Sequence, residues 1–249
     1  MKPARLTLLA ALGLFTLHAD AGEVRVAVAA NFTAPMKQIA ALFQADTGHT
    51  VQASYGATGK FYAQIKNGAP YDVLLAADDT TPARMATEGL ADPTSRFTYA
   101  VGKLVLWSKK PGYVDARGEV LKGPFDKLAI ANPKLAPYGV AAQETLQKLG
   151  LWSSVQSRIV MGENITQTLQ FADSGAADLA FVAMSQTVKD GKPVGGSVWA
   201  VPQALYTPIR QDAVVLAQPQ DKAAAVAFMN YLKSAKAVTV IKSFGYDLP

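Results

Sequence analysis

The stretch VRVAVAANFTAPMKQIAALFQADTGHTVQASYGATGKFYAQIKNGAPYDVLLAA, Val24 to Ala77, sets the fold. Three apolar runs, VRVAVAA, TVQAS and DVLLAA, alternate with two segments whose apolar residues recur at helical spacing. Met36, Ile39, Ala40 and Phe43 fall on one face of the first helix, and Gly48 stops it. Phe61, Tyr62 and Ile65 mark the second. Strand, helix and strand joined by such short connections predict right-handed βαβ units and a largely parallel sheet.

The pattern restarts after Tyr99. KLVLWS, LAIAN, SRIVMG and ADLAFVA read as strands, with helices starting near Tyr138 and Ile165 between them. A strand DAVVLAQ, Asp212 to Gln218, and a long helix from Lys222 to about Ser243 close the chain. No repeat, low-complexity tract or Pro/Gly/Ser-rich linker separates independent domains. The expected organisation is therefore two α/β lobes, 22–101 plus 212–249 and 102–211. They would be joined through strands near Tyr99–Gly102 and Ile209–Asp212, with the final helix returning to the first lobe. A cleft between such lobes is a common ligand site.

The first residues belong to a different plan. Lys2 and Arg5 precede an apolar run from Leu6 to Leu17, and Ala19-Asp20-Ala21 has the small-x-small form of a cut site. This predicts a secretory signal peptide over residues 1–21, with the mature chain starting near Gly22. The run is shorter than the roughly 20 residues a spanning helix needs. Removing Lys2, Arg5 and Asp20 lowers the formal net charge from +5 to +4. No Lys/Arg-rich block suggests nucleic acid, and a small positive excess helps attract an anion. The absence of cysteine in an exported chain suits a periplasmic protein whose core does without disulfides. The mature chain also has a single histidine, His49, in a helix-to-strand turn where a solvated loop residue is expected. His-rich zinc sites and cysteine nucleophiles are thereby excluded.

The informative positions are four strand-to-helix junctions. In AANFTAP, Asn31 can cap and Pro35 suits an early turn; in GATGKF, Thr58 can cap beside close-approaching glycines. In the second half, Pro137-Tyr138-Gly139 opens a helix, and in MGENITQTL Asn164 can cap a helix beginning at Ile165. Each alone is only a well-made helix start. Together they put two N-termini from each lobe at the carboxyl ends of parallel strands, where ligands bind. Each N-terminus carries unpaired N–H groups and roughly +0.5 of an elementary charge, so four offer about +2 to a tetrahedral dianion. The glycine loop Gly56-Ala57-Thr58-Gly59-Lys60 is no nucleotide loop, because Phe61 stands where a Ser or Thr is required and the glycines are too close. Lys60 is read as a solvated charge. Asp78-Asp79 reads as part of a helix start, with Asp79 or Thr80 as the cap of TPARMATEGL.

These motifs resemble the periplasmic molybdate-binding proteins of ABC importers. The resemblance runs through AANFTAPMKQIAALF, GATGKFYAQIKNGAPYDVLLAAD, FTYAVGKLVLWS, ANPKLAPYGVAAQETLQKLGLW, GENITQTL and GAADLAFVA, essentially the whole mature chain. It implies a two-lobed periplasmic binding fold of type II, α/β, each lobe a mixed, mostly parallel sheet flanked by helices. It implies no catalysis and no cofactor. The ligand would be molybdate or tungstate, the partner a membrane permease, and the protein a periplasmic monomer. Family binding positions fall on Asn31 and Thr58, giving side chain plus backbone N–H, and on Tyr138 and Ile165, giving backbone N–H. All four would meet the metal only through the oxygens of the anion. Many family members have serine at the positions of Asn31 and Thr58, and a ligand-touching tyrosine at that of Ala183. Alternatives from the residues alone are a carrier of sulfate, phosphate or ferric iron, or a secreted enzyme acting on phosphate or sulfate esters.

Overall fold

The computed structural model describes residues 21–249. The expected leader falls, but for its last residue, outside them. Two five-stranded sheets carry the chain. The first has β1 (Glu23–Ala29), β2 (Thr50–Gly56), β3 (Val73–Leu75), β4 (Phe97–Gly102) and a late strand, β12 (Ile209–Val215). The second has β5 (Leu104–Ser108), β6 (Leu128–Ala131), β7 (Ile159–Gly162), β8 (Leu179–Ala183) and β11 (Ser197–Ala200). A short hairpin, β9 (Val188–Lys189) with β10 (Lys192–Pro193), stands apart.

The spatial order is β2-β1-β3-β12-β4 in the first sheet and β11-β5-β8-β6-β7 in the second. In the first, β1 runs parallel to β2 and β3, while β12 is antiparallel to β3 and β4. In the second, β6 is parallel to β7 and β8, while β5 is antiparallel to β8 and β11. Both sheets are mixed, each keeping a parallel βαβ portion. The chain passes between them twice, through Gly102–Leu104 and through the loop leading into Ile209. Strand β12 starts at Ile209, three residues ahead of the apolar run that marks it in the sequence, because Ile209–Gln211 pair with Gly102–Ala100.

Helices α1 (Thr33–Thr47), α2 (Thr58–Lys66), α3 (Thr80–Thr87), α7 (Lys222–Tyr231) and α8 (Ala235–Ser243) flank the first sheet. Helices α4 (Pro137–Lys148), α5 (Trp152–Val155) and α6 (Ile165–Asp173) flank the second. The single long C-terminal helix expected from the sequence is two. Ser234 interrupts it, its Oγ accepting the Ala237 N–H as the cap of α8. Along β1, Val24, Val26 and Val28 point to one core while Ala27 points to the other, the period-two alternation of a covered strand. Phe43 and Phe228 meet edge to face between α1 and α7, and burial of each contributes about 1.5–3 kcal/mol. All three tryptophans, Trp107, Trp152 and Trp199, pack into the second lobe. His49 stacks on Phe43 and accepts the Gly22 N–H at Nδ1, so it is more engaged than a solvated loop residue.

Candidate functional site

The carboxyl ends of β1, β2, β6 and β7 meet across the gap between the lobes and border a small cavity. Asn31, Thr58, Tyr138 and Ile165 all line it, together with small apolar residues such as Ala30, Ala57 and Pro137. Its lining contains no carboxylate, lysine, arginine or histidine.

Each of the four residues stands at the start of a helix, where backbone N–H groups have no intrahelical acceptor. Thr58 opens α2, Tyr138 is second in α4, Ile165 opens α6, and Asn31 sits in a single 3-10 turn ahead of α1. The amides that follow them in α2, α4 and α6 are engaged. In α2, Gly59 donates to the Leu135 carbonyl, and Lys60 and Phe61 donate to Ala57. In α4, Gly139 and Val140 donate to Ala136. In α6, the Asn164 side chain accepts from Thr166 and Gln167, the cap expected from the sequence. Among the described residues, the N–H groups of Asn31, Thr58, Tyr138 and Ile165 make no turn, loop or cap hydrogen bond and meet no side-chain acceptor. Two come from each lobe.

Two expected caps are not caps. Ala57, not Thr58, is the cap position of α2, and the Thr58 hydroxyl instead accepts the Ala77 N–H at 3.0 Å. That bond ties α2 to the end of β3 and leaves the hydroxyl hydrogen available to a ligand. The Asn31 amide makes no capping bond either. Its Nδ2 donates to Gln211 Oε1 at 2.8 Å and to the Tyr246 hydroxyl at 2.9 Å. Both amide hydrogens are thus spent inside the protein, and Asn31 offers the cavity its backbone N–H. At α3 the capping oxygen is that of Asp78, which accepts the Thr81 N–H at 2.8 Å, rather than that of Asp79 or Thr80. Ala183 is fully buried outside the lining, its N–H donating to Gln186 Oε1.

Behind the cavity lies a buried polar network that sequence reasoning missed. Gln211 Oε1 also lies 3.0 Å from the Tyr99 hydroxyl, and its Nε2 donates to the Tyr138 hydroxyl at 3.2 Å. Ser185 Oγ donates to the Asn31 carbonyl at 2.8 Å and lies 3.0 Å from the Tyr246 hydroxyl. Burial holds the phenols of Tyr99, Tyr138 and Tyr246 well above the usual tyrosine range, so each stays neutral. Gly102 leaves room for the arrangement: a Cβ there would overlap the Tyr138 hydroxyl and stand 2.5 Å from Gln211 Nε2.

The lobes are closed on one another. The Gly59–Leu135 bond at 3.0 Å crosses the gap, as do Thr166 Oγ1 to the Ala30 carbonyl at 3.4 Å and Lys60 to Glu163 at 2.6 Å. A larger neighbouring cleft, about 800 Å³ including solvent at its mouth, carries charges of both signs: Asp78, Asp79 and Glu144 with Lys134 and Arg210. Burial, reinforced by the charges of Asp79 and Asp212, raises the Asp78 carboxyl above its ordinary value. The four helix starts line the smaller, uncharged cavity, and none of Asn31, Thr58, Tyr138 and Ile165 lines this cleft.

Two α/β lobes closing on a cavity of neutral donors define a solute-binding protein. The chain belongs to the family of bacterial extracellular solute-binding proteins, whose model matches residues 24–247. It is 58% identical over 246 residues to the molybdate-binding protein ModA of Azotobacter vinelandii, covering 98% of each chain. It is 51% identical over 240 residues to molybdate-binding protein ModA of Rhodobacter capsulatus, covering 96% of this chain and 94% of that one. The solved periplasmic molybdate-binding protein of Azotobacter vinelandii superposes with a TM-score of 0.89 at 46% identity, covering 91% of this chain and 99% of the other.

Proposed function

We propose that this chain captures molybdate, and tungstate with it, in the interlobe cavity and hands it to the permease of an ABC importer. The supporting observation is the set of four helix-start residues, two per lobe, that line one uncharged cavity and whose N–H groups make no turn, loop or cap hydrogen bond. Asn31, Thr58, Tyr138 and Ile165 would hold the anion by these groups, with the Thr58 hydroxyl as a fifth donor. An unpaired buried dianion costs tens of kcal/mol, so each oxygen needs donors. Neutral donors meet that need without fixing a counter-charge that would hinder release. A smaller tetrahedral anion such as sulfate would leave some donors unpaired, at roughly 1–3 kcal/mol each. A protonated phosphate would bring a hydrogen against donors.

The protein acts in the periplasm as a monomer after removal of its leader, and it binds rather than transforms its ligand. Its cavity lining has no carboxylate, lysine or histidine to act as general base toward the Thr58 hydroxyl. Calorimetry of the chain from Gly22 onward, against molybdate, tungstate, sulfate and phosphate, tests the reading. Tight, similar binding of the first two and weak binding of the others is expected. Preference for sulfate or phosphate would overturn it.

A further inference from the structure

The pairing of β12 with β4 shifts register between Gln211 and Asp212, where Tyr99 is the extra, bulged residue of β4. A bulge re-aims a side chain, and such irregularities are found beside binding sites. Here it accompanies a glutamine with no solvent exposure, sited where the chain has just crossed from the second lobe to the first. The carboxamide of Gln211 touches one cavity residue from each lobe. Oε1 accepts from Asn31 of the first, and Nε2 donates to Tyr138 of the second. Tyr99 fixes Oε1 from behind, since its hydroxyl lies 3.0 Å from that oxygen and 3.0 Å from the Ala76 carbonyl. Asn31 is held on its other side by Tyr246 and Ser185.

Resting on the binding reading above, we infer that Gln211 is a positioning residue. Its carboxamide couples Asn31 to Tyr138 across the gap and so holds the two lobes' donors at their bound separation. The residue touches no ligand. Its bond to Tyr138 exists only while the lobes are together, so its contribution falls on release rather than capture. Gly102 is part of the same device, because any side chain there would displace both partners of that bond.

The test follows release of labelled molybdate into excess unlabelled molybdate for the wild-type chain, Gln211→Leu, Tyr138→Phe and the double variant. Association rates and the melting temperatures of the unliganded proteins are measured alongside. Tyr138→Phe keeps the backbone N–H of residue 138 and removes only the hydroxyl. Release should quicken about fivefold in Tyr138→Phe and tenfold or more in Gln211→Leu, by the usual worth of one and of several hydrogen bonds. Association should stay within about twofold. The double variant should release no faster than Gln211→Leu alone, because both changes cut the same bond. Wild-type release rates in the variants, or effects that multiply, overturn the inference, as does a lowered melting temperature with unchanged release. If Gln211→Leu does not fold, Tyr138→Phe carries the test, and an unchanged rate there overturns it. A wild-type chain that binds no molybdate would instead sink the functional reading.

Discussion

The Thr58 hydroxyl accepts one bond, from Ala77, and has one hydrogen left to give. Thr58→Val keeps the shape and removes both functions. Molybdate affinity should fall by about 1–3 kcal/mol, the range for leaving buried partners unsatisfied, as read by calorimetry. Thr58→Asp places a carboxylate against the anion and should abolish binding; an unchanged affinity would remove Thr58 from the site. At this scale the sequence was a fair guide to position and a poor one to role. Four helix-start residues could be named because caps, prolines and glycines mark such starts in the chain itself. What the Asn31 side chain does could not be read, because its partners, Gln211 and Tyr246, lie 180 and 215 residues away. Nothing near Gln211 in sequence announces the bulge that Tyr99 makes opposite it.

In the proposed function the helix ends hold the anion, and their strength can be measured one at a time. Asn164 caps α6 through two bonds and leaves the Ile165 N–H over. Asn164→Ala should cost about 1 kcal/mol of stability, seen as a lower midpoint in urea unfolding. On the far side of the first lobe, Glu88 beyond α3 is gripped by Arg84, then by the Tyr62 hydroxyl and Lys66 of α2, and its carboxyl is pulled down to about 2. A depressed carboxyl stabilises the fold above its unfolded value of 4.5 and loses that contribution as pH falls toward 2. Acid unfolding of Glu88→Gln should therefore show a shallower slope in that window than the wild type. The division of the C-terminal helix at Ser234 shows where periodicity misleads: apolar spacing continues through a residue whose side chain prefers to start a new helix.

For the whole molecule, closure rests on small residues at the lobe contact. Gly59 lies so close to the second lobe that a Cβ would stand 3.1 Å from the Leu135 carbonyl oxygen. Gly59→Leu should wedge the lobes apart, lowering molybdate affinity by about 1–3 kcal/mol, the usual range for overpacking. Small-angle scattering should then show little compaction on adding molybdate, where the wild type contracts. The two-lobed plan was legible because strand and helix patterns run through Ala77, restart after Tyr99 and return after Ile209. Pairing order was not, since periodicity does not say that β12 inserts between β3 and β4.

That insertion has a temporal side. Every strand of the second sheet lies within residues 104–200, so that lobe is complete in one continuous piece of chain. The first sheet cannot knit β3 to β4 until β12 arrives from more than a hundred residues downstream, and such distant pairings are slow. Because every indole sits in the continuous lobe, refolding watched by tryptophan emission should finish ahead of refolding watched by recovered anion capture. The lag between the two traces times the arrival of one strand.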